Sequence, residues 1–179
     1  MRKIVFYGAI TLDGYLAASD DNLQWLFDTN IGEKTTYQKF FEKVDTVVMG
    51  RITYQETKQL MKDAPLYPGT QTIVFSRSND YSFHDATVKT DDPVTYLKQL
   101  RETEGGLIWI VGGGNFLKPL IEADLIDEWW IQVAPVLLGE GKPLFEQGDY
   151  AKRLTFVDTT TMGELIELHY VRNTDEINE

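Results

Sequence analysis

Three consecutive glycines follow an apolar run in the second half of the chain. Residues 108–111 form that run, and the glycines lead into a predicted helix. Glycine lets another group approach the backbone closely, and a helix N-terminus presents unpaired N–H groups and a partial positive charge. The pattern predicts an anion site suited to a pyrophosphate, the alternative being a tight turn that needs glycine for packing. The residues concerned are Val111, Gly112, Gly113, Gly114, Asn115 and Phe116.

Two familiar phosphate-binding motifs do not match this glycine turn. The dinucleotide fingerprint Gly-x-Gly-x-x-Gly, started at Gly112, would need a glycine where Leu117 stands, and no Gly-Lys-Ser or Gly-Lys-Thr follows. We therefore expect a glycine turn of another kind. In such a turn, a β-carbon at Gly113 would block close approach to the backbone or require a strained φ.

Two other apolar runs end in groups that suit phosphate oxygens. Gly50, Arg51 and Thr53 follow one run, and Ser76 and Arg77 stand at the end of another. A guanidinium fork and a first-turn hydroxyl can both bind phosphate. Arg77 is placed to hold a ribose 2′-phosphate, which would select NADPH over NADH. The alternatives are a solvated Arg51, a Thr53 that caps its helix, and an Arg77 that is simply on the surface.

Other chemistries find little support in the residue pattern. His84 and His169 are far apart and lack an acidic pair at ligand spacing, so we expect no metal site. His169 lies in an alternating apolar segment and is expected to be structural. At Asp13 and Gly14 the first apolar run breaks, and composition alone favours a simple turn there.

Strand and helix patterns alternate along most of the chain and would place these groups at one edge of a sheet. Parallel strands joined by helices expose their carboxyl ends together, where ligands bind. We predict an α/β fold with a mixed, mainly parallel sheet, helices on both faces and a C-terminal antiparallel hairpin that turns near Met162 and Gly163. Predicted strands cover residues 3–11, 45–49, 72–76, 86–89, 107–111, 128–134, 154–158 and 165–171, and predicted helices cover 33–43, 52–61, a segment beginning at 93, and 115–123.

Length and composition predict one domain over residues 1–172, followed by a polar, acidic tail over 173–179 that we expect to fray. There is no cysteine, which fits a reducing compartment, and we expect a cytoplasmic protein. No stretch approaches the ~18 apolar residues of a membrane helix. The net charge of −11 disfavours general binding to nucleic acid or anionic membrane, but a few aimed arginines still suffice for a phosphorylated cofactor.

Apolar residues are concentrated after position 128. Trp129 and Trp130 are adjacent on a predicted strand, so one ring lies on each face, one in the core and the other against a helix or a partner subunit. A soluble monomer avoids exposing such a patch, so we expect a homodimer built through the strand-rich C-terminal part. The alternative is that segment 135–141 folds over the patch as a loop. The patch also includes Ile131, Val133, Val136, Leu137 and Leu138.

Taken in order, the motifs resemble the dihydrofolate reductase superfamily, and more closely its branch with the reductase domain of bacterial riboflavin biosynthesis. The resemblance runs from Ile4 to about Tyr170. The motifs that carry it are Leu12-Asp13-Gly14-Tyr15-Leu16-Ala17, Met49-Gly50-Arg51-Ile52-Thr53-Tyr54, Val74-Phe75-Ser76-Arg77, Val111-Gly112-Gly113-Gly114, and Ile126-Asp127-Glu128-Trp129-Trp130-Ile131 followed by Ala134-Pro135-Val136-Leu137-Leu138-Gly139-Glu140-Gly141.

The resemblance implies a dihydrofolate reductase-like fold and an NADPH site. That site would use Gly50, Arg51, Thr53, Ser76, Arg77 and the glycine turn, with the nicotinamide against Ala9 and the loop from Asp13 to Leu16. It implies hydride transfer from C4 of the nicotinamide, with the protein supplying orientation and a dry environment. The expected substrate side consists of Asp13, Trp25, Glu33 and Tyr37.

The chain also departs from its relatives in the branch. Dihydrofolate reductases carry an acidic residue on their first helix; Glu33 is acidic, but the residues after it do not match the pattern. The riboflavin-biosynthesis enzyme often carries a zinc deaminase domain, and this sequence shows neither that domain nor its cysteines. The sequence therefore predicts an NADPH-dependent reductase of a small polar heterocycle or carbonyl compound, with no catalytic residue identified. The alternatives are a non-catalytic nucleotide-binding regulatory protein and an authentic dihydrofolate reductase.

Overall fold

The computed structural model describes residues 1–62 and 64–173, and these build an eight-stranded sheet with a small second sheet beside it. The tail predicted to fray falls on residues 174–179, apart from Asn173, and so lies outside the described residues. The large sheet has the order β5-β4-β3-β6-β1-β7-β10-β9. Its strands are β1 (Ile4–Thr11), β3 (Val44–Gly50), β4 (Gln71–Phe75), β5 (Thr87–Lys89), β6 (Leu107–Gly112), β7 (Glu128–Ala134), β9 (Leu154–Met162) and β10 (Leu165–Arg172).

The large sheet has a parallel part and an antiparallel part. The pairs from β5 to β7 are all parallel, whereas β10 pairs antiparallel with both β7 and β9. Parallel strands are covered on both faces and therefore read as continuous apolar runs. Val47, Val48 and Met49 of β3 are fully buried, as that rule requires. The α/β class with a mainly parallel sheet and a C-terminal hairpin is confirmed.

Five helices accompany the sheet in the described residues. They are α1 (Gln24–Phe27), α2 (Tyr37–Phe41), α3 (Arg51–Met61), α4 (Pro93–Leu100) and α5 (Gly114–Glu122). Leu97 of α4 and Leu117 of α5 pack on the face that holds Phe6, while Phe40 of α2 and Tyr54 of α3 pack on the opposite face. No helix in this described part of the chain combines the length and apolar character needed to cross a membrane.

Sequence reasoning located the long strands to within a residue or two, except that β9 runs on to Met162. It was wrong about the helix over 33–43, because only Tyr37–Phe41 is helical and Glu33 lies in the preceding irregular segment. It also missed α1 and the second sheet, in which β2 (Tyr15–Ala17) pairs antiparallel with β8 (Lys142–Pro143). These elements have two to four residues each, too few to show a period.

Candidate functional site

The predicted cofactor residues come together at one edge of the sheet. Strand β3 lies between β4 and β6, and its last residues, Met49 and Gly50, are in register with Gly112 and Phe75. The groups that follow these three strands therefore meet where α3 and α5 begin. We call this region the cofactor edge; it comprises Gly50, Arg51, Thr53, Ser76, Arg77, Val111, Gly112, Gly113, Gly114, Asn115 and Phe116.

The two helices at the cofactor edge begin without a side-chain cap. Gly50 precedes α3 and Gly113 precedes α5, and among the described residues no side chain accepts a hydrogen bond from the first turn of either helix. Helix α4 differs, since the Asp92 carboxylate accepts from the Thr95 N–H at 2.9 Å. First-turn N–H groups without a cap are the donors that bind anions at helix N-termini.

The three glycines of the turn have different roles. Gly112 has a φ of +125°, a conformation that other residues rarely adopt. At Gly114 a β-carbon would collide with the Pro143 carbonyl oxygen, so glycine is needed there for packing. At Gly113 the φ is an ordinary −79°, and the nearest atom to an added β-carbon is Thr53 Oγ1 at 3.7 Å.

Of the two effects expected from a β-carbon at Gly113, the ordinary φ excludes backbone strain, and blocked approach is the one that remains. Packing accounts for the glycine at position 114, whereas at Gly113 the space that the predicted cradle would need is open. A β-carbon at Gly113 would fill a space bordered by a hydroxyl and an uncapped helix N-terminus, and this is the space that a phosphate would need. The residues present thus fit the diphosphate of a dinucleotide.

The two arginines of the cofactor edge differ in how they are held. Arg51 donates to Gln55 Oε1 at 2.5 Å, and its guanidinium lies 4.5 Å from the centre of the Tyr81 ring. Arg77 is exposed and makes no ion pair with any residue that the structure describes. Arg51 is thus fixed against its own helix, whereas Arg77 is available for a charged ligand. The capping alternative for Thr53 is not seen.

The loop after β1 is fixed by Asp13. Its Oδ1 accepts from Thr11 Oγ1 at 2.6 Å, and its Oδ2 accepts from the N–H groups of Leu138 and Gly139 at 3.0 and 2.7 Å. These hydrogen bonds, the one from Thr11 first, lower the pKa of Asp13. The carboxylate ties the 138–139 loop to the first strand, beside Leu16, which stands near Gly112.

The residues expected on the substrate side are only partly brought together. Trp25 is buried in a group with Met162 and Leu165, against which Ala9 packs, and its indole Nε1 has no hydrogen-bond partner within residues 1–62 and 64–173. Tyr37 lies edge-on to Tyr7 at a centroid distance of 5.9 Å. Glu33 is exposed and makes no hydrogen bond or ion pair with the described residues.

A buried polar group on the same face was not expected from the sequence. Glu167 of β10 is 1% exposed, and its Oε2 accepts from Thr36 Oγ1 at 2.7 Å and from Gln132 Nε2 at 2.5 Å. The Tyr7 hydroxyl lies 2.9 Å from Thr36 Oγ1. Burial raises the pKa of Tyr7 to about 12. We call Tyr7, Thr36, Gln132 and Glu167 the Glu167 cluster.

One signal in the sequence could have pointed to this cluster. In β10, Leu165 and Glu167 alternate with the exposed Ile166, so the acidic residue occupies an inward position of the strand. Carboxylates are almost never fully buried without partners. The register also places the cluster beside Ala9, since Ala9 is opposite Gln132 and Gln132 is opposite Glu167.

The two aromatic neighbours on β7 behave as expected. Trp129 is in the core, and Trp130, on the other face, contacts Phe40 of α2 with a centroid distance of 6.4 Å. The Trp130 ring also stacks on His169 at 3.6 Å, and His169 Nε2 lies 3.3 Å from Glu128 Oε2. His169 is thus a structural residue with partners, as predicted.

Known proteins share both the sequence pattern and the fold. The family model of the RibD C-terminal domain matches residues 2–168. The uncharacterized protein YwjB of Bacillus subtilis strain 168 is 36% identical over 172 residues, which cover 96% of this chain and 98% of YwjB. A Shewanella sp. PV-4 protein assigned to riboflavin biosynthesis is 27% identical, with a TM-score of 0.84 and coverage of 97% of this chain and 99% of that one.

A dihydrofolate reductase shares the fold at lower identity. The Enterococcus faecalis enzyme, solved with NADP(H) and RAB-propyl, is 21% identical, with a TM-score of 0.69 and 96% of each chain covered. The family and fold resemblance predicted from the ordered motifs is confirmed.

Proposed function

Because this chain belongs to the RibD C-terminal domain family, we propose that it is an NADPH-dependent reductase of a small polar heterocycle or carbonyl compound. The observation that carries the proposal is the space at Gly113, bordered by Thr53 Oγ1 and the uncapped N-terminus of α5. The Shewanella relative assigned to riboflavin biosynthesis and the NADP(H)-bound dihydrofolate reductase support it. A cytoplasmic location, expected from the lack of cysteine, belongs to the same proposal.

Different residues of the chain would bind different parts of the cofactor. Gly113, Thr53 and Arg51 would hold the diphosphate, and Ser76 with Arg77 would hold the ribose 2′-phosphate. Ala9 and Leu16 would line the nicotinamide. When bound, the cofactor supplies a hydride, and the protein's contribution is to orient the two reactants and exclude water between them.

Cofactor binding and turnover are tested separately on the purified chain. Titration with NADPH and NADH by calorimetry should give tighter binding of NADPH. Incubation with NADPH and a panel of pterins, flavin precursors and carbonyl compounds should give oxidation of NADPH with at least one of them. Binding without turnover across the panel would favour a regulatory protein, and reduction of dihydrofolate alone would favour an authentic dihydrofolate reductase. Failure to bind NADPH would contradict the proposal.

We also propose a homodimer, but through a different surface from the one that the sequence suggested. Trp129 and Ile131 are buried within the chain, and the loop over 135–141 covers part of the same region, with Leu138 packed near Trp25. The patch that motivated the dimer is therefore mostly covered by the chain itself, and only Leu137 stays strongly exposed, at 72%.

Strand β9 offers the better surface for pairing. It is an edge strand of nine residues, and Phe156 and Val157 are 58% and 46% exposed on its two faces. Exposed apolar edge strands pair with other chains unless something blocks them. Light scattering should give about twice the 20.5 kDa chain mass, and Val157→Lys should return the chain mass. A wild-type mass near that of one chain, unchanged on tenfold concentration, would refute the dimer.

A further inference from the structure

We propose that Glu167 is the residue that determines substrate specificity, by accepting a hydrogen bond from an N–H or O–H donor of the substrate. The inference rests on the proposed reductase function and adds to it. It predicts that the site prefers molecules with such a donor over molecules that carry only acceptors.

The first argument is an unpaired oxygen in a buried carboxylate. Both donors in the chain, Thr36 Oγ1 and Gln132 Nε2, point at Oε2 of Glu167. Oε1 is equally buried and has no hydrogen-bond partner among the described residues. A buried acceptor without a partner is costly, and native structures retain one mainly where a ligand, ion or water completes it.

The second argument is the fixed direction of the carboxylate. Thr36 has one hydroxyl proton and gives it to Glu167, so the Tyr7 hydroxyl must donate to Thr36. The raised pKa of Tyr7 keeps that phenol protonated over the whole physiological range. Two donors therefore hold Oε2, and the orientation that they impose leaves Oε1 for a group from outside the chain.

The third argument is position. Ala9, Gln132 and Glu167 are directly opposite one another on β1, β7 and β10, so their side chains share one face. Neighbouring strands lie about 4.8 Å apart, which places Glu167 roughly 10 Å from Ala9 across the sheet. Ala9 is the residue proposed to face the nicotinamide, so the unpaired oxygen lies within one small molecule's length of the reacting carbon.

A second unpaired group borders the same cluster. Trp25 packs with Met162, and the Met162 sulfur accepts from the Thr36 N–H at 3.2 Å. The Trp25 indole Nε1 is a buried donor for which the described part of the chain supplies no partner. Met162 thus contacts both Trp25 and Thr36, the partner of Glu167, and an unpaired acceptor and an unpaired donor in this region suit a ligand that offers one group of each kind.

The test uses two probes that share both carbonyl groups and differ in their N–H donors, which N-methyl groups replace in the second probe. Uracil has two ring N–H groups, and 1,3-dimethyluracil keeps both carbonyl groups but has no N–H. Binding of each probe is measured by NMR titration, with and without NADPH, and NADPH affinity is measured on the same samples. The wild type should bind uracil roughly tenfold or more tightly than 1,3-dimethyluracil.

The Glu167→Gln variant replaces the proposed hydrogen-bond acceptor with a donor. Because both chain donors point at Oε2, the new carboxamide oxygen takes that place and its NH₂ group replaces Oε1. The preference for uracil should disappear, while NADPH affinity stays within about twofold, a range that is small against the expected tenfold loss. The matched control is Glu102→Gln, the same change at an exposed site, which should behave like the wild type.

The outcomes separate this inference from the proposed function. Equal binding of the two probes by the wild type would overturn the role of Glu167, whether or not the variant folds. A Glu167→Gln protein that folds and keeps the uracil preference would show a purely structural carboxylate, and loss of the preference in Glu33→Gln alone would assign the role to Glu33. Failure of the wild type to bind NADPH would contradict the reductase proposal. The titrations of the two probes without NADPH would then still decide whether Glu167 binds an N–H donor.

Discussion

The cofactor edge and the Glu167 cluster are two halves of one proposed site, and they are built in opposite ways. Each part of the cofactor edge is a strand end and the few residues after it, so backbone N–H groups and glycines would do most of the proposed binding. In the Glu167 cluster, side chains that are far apart in sequence meet: the residue numbers of Thr36 and Glu167 differ by 131, and those of Tyr7 and Thr36 by 29. The first kind of site is local in sequence, whereas the second depends on the register of the sheet.

The strongest test of this contrast is Gly113→Val. A side chain there fills the space beside Thr53 Oγ1 without straining the backbone, so the fold should survive. Blocking two or more charge-assisted contacts to the diphosphate should weaken NADPH roughly a hundredfold or more. Calorimetry measures the affinity, and probe binding at the Glu167 cluster without NADPH serves as the control. A folded variant with normal NADPH affinity would mean that the turn is structural only.

Gly114→Ala should show the opposite behaviour one residue away. The added β-carbon meets the Pro143 carbonyl oxygen, so the loop over 142–144 or the start of α5 must shift. Overpacking of this kind costs about 1–3 kcal/mol in the free energy of unfolding. Urea denaturation measures it, with Gly113→Ala as the matched control that should be close to neutral. Equal destabilisation by both alanines would remove the distinction between a packing glycine and a cradle glycine.

The contrast between the cofactor edge and the Glu167 cluster also explains which features could be predicted from the sequence. The long buried strands and the glycine turn were found because their signals are local: apolar runs, glycines and the residues that follow them. The helix over 33–43 was wrong because an apolar pattern at Tyr37, Phe40 and Phe41 was extended back through residues that are irregular in the structure. The inward position of Glu167 could have been noticed in the alternation of β10, but its partners could not, because no short segment shows that Tyr7, Thr36, Gln132 and Glu167 share one face.

Arg77→Ala should separate affinity for NADPH from affinity for NADH. Arg77 is exposed, unlike Arg51, which is held by Gln55 and Tyr81. Loss of one charge-assisted phosphate contact typically costs ~1.5–3 kcal/mol, so NADPH affinity should fall roughly tenfold or more while NADH affinity stays unchanged. Calorimetric titration with both cofactors checks this. An equal loss of affinity for the two cofactors would show that Arg77 does not bind the 2′-phosphate.

The smallest expected effect comes from Tyr7→Phe, which removes one hydroxyl from the Glu167 cluster and leaves the cofactor edge alone. Losing its hydrogen bond to Thr36 should lower the free energy of unfolding by about 0.5–1.5 kcal/mol at neutral pH, with NADPH affinity unchanged. Changed NADPH affinity in a stable variant would show that the two halves of the site are coupled.

The same variant has a distinct signature in alkali. Below the ordinary tyrosine pKa of 10.0, Tyr7 is protonated in both the folded and the unfolded chain, so its ionisation adds no pH dependence. Between that value and the raised pKa of about 12, the unfolded chain loses the proton and the folded chain keeps it, which favours unfolding as the pH rises. The pKa values of Tyr54 and Tyr67 are raised as well, so the wild type should lose stability through several groups. Tyr7→Phe should therefore lose less stability than the wild type across this window in urea denaturation, and parallel curves for the two proteins would show that the Tyr7 hydroxyl is not held protonated inside the cluster.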